Sequence, residues 1–409
     1  MIEKLKLDKK KSIKVAMVAA CPFPANHGTP AAIKEMSEYL GKKLIDVHVI
    51  TYPIYDKNIP FQPIIKIHRC GDAQEKEIKV GPFKERIWYD VKLTFKLIQV
   101  IKQVNTNVIH AHNYEGLLAG LIAKFFTGRP LIYNAINTME EELPSYDLLK
   151  PKILFKYIGK LLDGYFPKKA DFVIADTPEL KNLLIKLGVD KKKIQWIPSG
   201  VDLSFFDVND AAICQIQKKY NIEKNKKIII YTGTLDQFQG IDILINAFSY
   251  VKKEIKSACL IIAGSTVKKS HREYYENMTK ELEIRSDVLF IEPDLKEVPA
   301  LLKIAHIAVV PRVTSMGIPT KLLNYLAAQC AVVSFKGAAH FLKNFNGVHL
   351  VEGNDFHNLA KGIIYLLNNQ ERREELRKKG RNIIERYYSW DIICDKIIEI
   401  YERLIYENT

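Results

Sequence analysis

Short apolar runs alternate with amphipathic stretches along this chain, from Val15 almost to its end. That alternation is the pattern of a parallel sheet covered by helices. In the first half the runs predict strands at Val15–Ala20, Val47–Thr51, Val108–His112, Leu131–Asn134, Phe172–Asp176 and Ile194–Ile197. Helical spacing fills the gaps at Pro30–Lys43, Glu115–Phe126, Pro151–Phe166 and Pro178–Leu187. The second half repeats the theme, with strands at Ile228–Thr232, Leu260–Gly264, Val288–Ile291, Ile307–Val310, Val332–Phe335 and Val348–Val351. Helices are expected at Ile241–Glu254, Arg272–Ile284, Val298–His306 and Phe356–Asn368. The Pro, Ser and Gly of Pro198–Asp202 break both periodicities and mark a join. The last helices, Gln370–Tyr388 and Trp390–Tyr406, meet at a break that would let the tail return to the first half. The prediction is two doubly wound Rossmann-like α/β domains, 1–198 and 199–385, with a terminal helix over 386–409.

Length agrees, because 409 residues exceed one ordinary core and suit two domains. Lys and Arg outnumber Asp and Glu by 61 − 47 = 14, which favours anionic partners. The lysines are scattered and no nucleic-acid module accompanies them, so a phosphate-rich substrate is expected rather than nucleic acid. The six cysteines lie far apart without a CxxC pair, which argues against a metal site and for buried thiols in a reducing compartment. The first residues lack the apolar core of a signal peptide, and no run reaches the ~20 apolar residues that span a bilayer. A cytoplasmic protein is expected, at most resting on the inner membrane face.

The densest chemistry lies in Pro311–Val333, read as strand end, glycine loop, short helix and next strand. Gly317 permits a tight loop and Pro319 suits the first helical position. A loop entering a helix N-terminus offers N–H groups and positive dipole to an anion, and Arg312 and Lys321 add full charge there. The expectation is a diphosphate site, with an ordinary strand–helix turn bearing solvated cations as the rival. Asn324 shares a helical face with Lys321. Earlier in the same half, Gly233 and Thr234 follow a strand, where backbone N–H groups could face a phosphate or sugar, and Gln239 adds a neutral hydrogen-bonding group.

In the first half, Gly28 precedes a helix opened by Thr29 and Pro30, at the strand edge where open α/β sheets bind ligands. The loop is not GxGxxG, which disfavours a dehydrogenase-type dinucleotide fold. His110 and His112 alternate along one strand and share a face, with Asn113 and Glu115 at its carboxyl end. His110 reads as structural; His112, Asn113 and Glu115 read as cleft residues. The helix over 151–166 mixes Ile153, Leu154, Tyr157, Ile158, Leu161 and Leu162 with lysines. Such a helix can lie on anionic lipid, but packing on its own sheet is the commoner use.

Taken in order, CPFPANHGTP, HAHNYEG, ADFVIADTPEL, IPSGVD, YTGTLDQFQGIDILI, GIPTKLLNYLAAQ and YYSWD resemble family 4 glycosyltransferases. The resemblance runs from about Lys14 to Leu404. It implies the GT-B architecture, two Rossmann-like domains facing across a cleft, and sugar transfer from a nucleotide sugar with retention at the anomeric carbon. It implies a donor on the second domain and an acceptor, glycan or lipid-linked, on the first. No bound cofactor is implied; the nucleotide sugar, a UDP-sugar preferred, is a co-substrate. With no DxD pair in the chain, no metal is expected.

The chain departs from the family pattern where charge matters. The family's Glu-x7-Glu positions are Met316 and Asn324, and its diphosphate-neutralising cations are Thr234 and Gln239. The load of stabilising the leaving diphosphate then falls on Lys321 and Arg312. Two rivals follow: a catalytically weak paralogue that binds a nucleotide sugar or a partner protein, and a GT-B epimerase. The epimerase would need a carboxylate pair in the cleft, and no convincing pair is found.

Overall fold

A computed structural model of the chain describes residues 12–25, 28–75, 86–145, 151–264, 269–315, 318–339, 342 and 346–406. The chain divides into two compact units, Met1–Gly200 with Trp390–Thr409, and Val201–Ser389.

The first unit holds a parallel sheet of β1 (Lys14–Ala19), β2 (Asp46–Thr51), β3 (Lys66–Arg69), β4 (Val108–His112), β5 (Leu131–Ala135), β6 (Phe172–Ala175) and β7 (Ile194–Trp196). Their spatial order is β3-β2-β1-β4-β5-β6-β7. The order reverses beside β1, the switch point where such sheets bind ligands. Alternation along β1 explains why both faces must be covered. Ala16 and Val18 enter one apolar cluster, and Val15, Met17 and Ala19 enter the other. Helices Gly28–Lys42 and Trp390–Tyr406 close one face through Ile33, Met36, Leu40, Ile393, Ile397 and Tyr401. Helices Arg86–Val104 and Asn113–Thr127 close the other through Leu93, Leu97, Leu117 and Ala123.

The second unit repeats the design with β8 (Lys227–Thr232), β9 (Ala258–Ala263), β10 (Val288–Ile291), β11 (Ile307–Val310), β12 (Ala331–Phe335) and β13 (His349–Val351). Their order is β10-β9-β8-β11-β12-β13. Ile228 and Ile230 face one core and Ile229 and Tyr231 the other. Both units are therefore doubly wound and Rossmann-like, as the alternation predicts.

Gly200 and Trp390 mark where the chain leaves and rejoins the first unit. A Cβ on Gly200 would stand 2.5 Å from the Trp390 ring, so only glycine lets the indole pack there. The tail helix is further fixed by the Trp390 indole N–H, which donates to Glu35 at 2.5 Å. The expected break before Trp390 is a π-helical turn, Ile384–Tyr388, followed by extended Ser389.

Several boundaries and elements differ from expectation. Helix Arg86–Val104 and strand β3 lie where no element was expected. Pro319 is the N-cap of helix Thr320–Ala327 rather than its first residue, with ψ 121°. Of the cysteines, Cys214 is exposed and Cys259 half-buried, and the other four are buried.

Candidate functional site

In the second unit, Lys321 sits in the first turn of Thr320–Ala327. Its ammonium donates to the Tyr231 hydroxyl at 2.8 Å and to Gln239 Oε1 at 2.9 Å. It lies 4.1 Å from the centre of the Tyr231 ring. Tyr231 in turn donates to the Thr234 carbonyl at 2.7 Å, which fixes the loop after β8. Among the described residues the direct partners of Lys321 are neutral, and burial with the nearby Arg312 charge pulls its pKa down to about 7, partly opposed by Asp236. A half-buried cation facing neutral dipoles is short of counter-charge, and a phosphate oxygen would supply it.

Backbone approach matches this. Gly233 has φ +133°, and a Cβ there would stand 2.8 Å from Lys321 Nζ. The strand after it must also yield space: a Cβ on Gly264 would lie 1.8 Å from the Gly233 carbonyl oxygen. Tyr325, one turn beyond Lys321, accepts the Thr232 N–H at 2.7 Å and anchors the end of β8. Arg312 donates from Nε to the Thr314 carbonyl at 2.6 Å, and its guanidinium lies 5.2 Å from the Phe238 ring centre. Thr234 is exposed, and its hydroxyl is 3.5 Å from Gln239 Nε2. Asn324 is half-buried, with no side-chain hydrogen bond among the described residues. Gly317 and Met316 lie outside the described residues.

In the first unit, sheet register sets Ala19, His112 and Asn134 abreast, so the segments that follow them share one edge. Gly28 has φ +51° with open space around its absent Cβ; backbone angle explains this glycine. Asn113 has φ +62°, a conformation Asn tolerates better than most residues. Glu115 pairs with Arg86 at 2.6 Å. Burial raises the Glu115 pKa, with Arg86 opposing. His112 is 1% exposed and stacks on His110 at 4.5 Å, so its imidazole lies within the unit rather than open at the edge. Burial holds it neutral, its pKa well below the ordinary histidine value. His110 fits its structural reading, bonding Tyr401 of the tail helix at 2.7 Å through Nδ1.

Tyr231, Tyr325 and Arg86 belong to these constellations and were not singled out as site residues from the sequence. Tyr231 carried a signal, a hydroxyl ending an aliphatic strand run. Tyr325 did too, four residues after Lys321 on its face. Arg86 had none, lying in a stretch without an assigned element.

The family models agree with the two-unit division. A model described as Glycosyltransferase Family 4 matches residues 27–205, and one described as Glycosyl transferases group 1 matches residues 213–383. The Staphylococcus aureus capsular polysaccharide biosynthesis glycosyltransferase CapM is 24% identical over 91% of this chain and 93% of its own. An uncharacterized glycosyltransferase of Methanocaldococcus jannaschii is 25% identical over 61% of this chain, which spans only 62% of that relative's length. Among solved structures, Anabaena HepE in complex with UDP-glucose superposes with a TM-score of 0.68 at 15% identity, over 95% of this chain and 99% of its own. Two successive family models, two Rossmann-like units and the matching relatives place the chain in the family 4 glycosyltransferases, of GT-B type.

Proposed function

We propose that this glycosyltransferase takes its sugar from a nucleoside diphosphate sugar, a UDP-sugar by preference, and transfers it with retention to a glycan or lipid-linked acceptor. The observation that carries this reading is Lys321, a half-buried ammonium held among the described residues by neutral groups beside the Gly233 backbone. The diphosphate would take the place of Gln239 or Tyr231 on that ammonium, with Arg312 as second cation. As the glycosidic bond to phosphate breaks, negative charge grows on the leaving oxygens. A preorganised cation and N–H groups stabilise it more than they stabilise the ground state. The acceptor would bind the first unit, at the edge formed by Gly28, Asn113 and Glu115. Glu115, with its pKa raised by burial, is the group there best able to exchange a proton with an acceptor hydroxyl.

The HepE complex supports UDP as the nucleotide by similarity of fold alone. A thermal-shift screen against UDP-, GDP- and ADP-sugars tests the proposal, since a ligand at about 100 times its Kd adds about 2.7 kcal/mol of stability. Selective stabilisation by a UDP-sugar, followed by release of UDP on incubation, is the expected result. Stabilisation without any UDP release would instead fit a catalytically weak paralogue, to which neutral Thr234, Gln239 and Asn324 point.

A further inference from the structure

Helix Lys152–Tyr165 is seated the opposite way from an ordinary amphipathic helix. Its buried positions are Gly159 and Asp163. Both are tied to one short segment: a Cβ on Gly159 would fall 2.2 Å from the Met139 carbonyl oxygen. The Asp163 carboxylate accepts the N–H groups of Met139 at 3.0 Å and Glu140 at 2.9 Å. These contacts fix the rotation of the helix about its own axis and turn its apolar stripe outward. Ile153, Leu154, Tyr157, Leu161 and Tyr165 are all exposed, Ile153 and Leu161 at 73% each. The sequence expectation that this helix buries its apolar side on its own sheet is thereby corrected; among the described residues, Leu162 and the following Phe166 are those that pack partly against that core.

The helix's own exposed charges are all positive, although Lys156 lies 3.9 Å from Glu140 of the adjoining segment. Lys152, Lys156 and Lys160 each precede an exposed apolar residue by one position, and the helix's only carboxylate is the buried Asp163. Lys168 and Lys169 continue the pattern, stacking over the exposed Tyr165 ring at 6.0 and 5.2 Å. The same two lysines, with Lys193 and one carboxylate, Asp190, line an open cavity of about 300 Å³ at that end of the helix, so cations outnumber the anion there three to one. Next to it, Lys124 donates to the Lys169 carbonyl at 3.3 Å, and exposed Phe125 and Phe126 adjoin that contact in the chain.

We infer that this face docks on the surface of an anionic phospholipid bilayer, with Ile153, Leu154, Tyr157 and Leu161 entering the acyl boundary. The lysines would snorkel to the headgroups, and the Lys168–Lys169–Lys193 cavity would receive a headgroup phosphate. Charge decides for lipid over a second copy of the chain, since self-association through this stripe would set lysine against lysine. The inference goes beyond sugar transfer and is read without donor or acceptor.

The test is sedimentation of the full chain with phosphatidylcholine vesicles, with and without phosphatidylglycerol. The protein should pellet only with the anionic vesicles and be released by raised salt. Leu161→Glu, at an exposed position where melting should stay unchanged, should weaken pelleting at least tenfold. The double change Lys156→Glu with Lys160→Glu should do likewise. Failure of the wild type to pellet overturns the inference, as does equal pelleting by these variants. Concentration-dependent self-association that Leu161→Glu abolishes would assign the stripe to a second copy and overturn it too.

Discussion

Lys321 donates to Gln239 at 2.9 Å, joining the first turn of one helix to the loop that follows β8. A second cation at position 239 would repel Lys321 at that distance. Gln239 instead holds the ammonium in place without adding charge or neutralising it. The neutral side chain at 239, where the resemblance implies a cation, and the lack of charge on the direct partners of Lys321 are thus one arrangement seen from two sides.

Removing the ammonium should cost chemistry rather than fold. Lys321→Ala is expected to lower turnover about a hundredfold, on the order of 3 kcal/mol of transition-state stabilisation. Steady-state kinetics and a melting curve check this together. Near-normal turnover in a folded variant would place the diphosphate elsewhere.

Donor affinity should depend on pH through the same group. In the free protein Lys321 titrates at about 7, and a bound diphosphate would raise that value. Below pH 7 the lysine is charged both free and bound, and affinity is flat at its maximum. Above pH 7 only the complex keeps the proton, so binding must take one up and affinity falls, by up to about tenfold per unit. The diester diphosphate of a UDP-sugar stays ionised throughout, so the slope reports the protein. Lys321→Met should bind more weakly and without this slope.

Backbone proximity gives a further test. Gly264→Ala would drive a methyl against the Gly233 carbonyl oxygen, 1.8 Å away before relaxation. Stability should fall by about 1–3 kcal/mol, as overpacking does, and donor affinity should fall with it because Gly233 must move. Retained melting temperature and retained affinity would show that Gly233 is not held against β9.

Chelation should leave activity intact. On the proposed reading Lys321 and Arg312 would supply the positive charge that a DxD enzyme takes from a metal, and the chain contains no DxD pair. Activity abolished by EDTA and restored by Mn²⁺ would contradict this.

Much of the fold was legible because its strands are buried on both faces and so read as unbroken apolar runs. Helix Arg86–Val104 was not, for a physical reason. Leu93, Leu97, Val100 and Ile101 form its inner stripe, while exposed Ile87, Trp88 and Phe95 blur the contrast that reveals a period. Strand β3 was hidden differently, since KIHR alternates at a sheet edge with little apolar content. Within the candidate site, Lys321 and Gly233 were visible from turn chemistry. Their connection through Tyr231 was not, because it joins residues 90 positions apart. The orientation of helix Lys152–Tyr165 was equally hidden. Its apolar stripe announced a buried face, and only the anchoring of Gly159 and Asp163 to Met139 shows which side is inward.

The most direct measurement of donor binding at Lys321 is calorimetric titration of UDP-glucose into the wild type and into Lys321→Ala at pH 7. Saturable binding by the wild type, weakened at least about tenfold in a folded variant by loss of a charge-assisted contact, is the predicted result. Equal affinity in the two proteins would contradict the assignment of the diphosphate to Lys321.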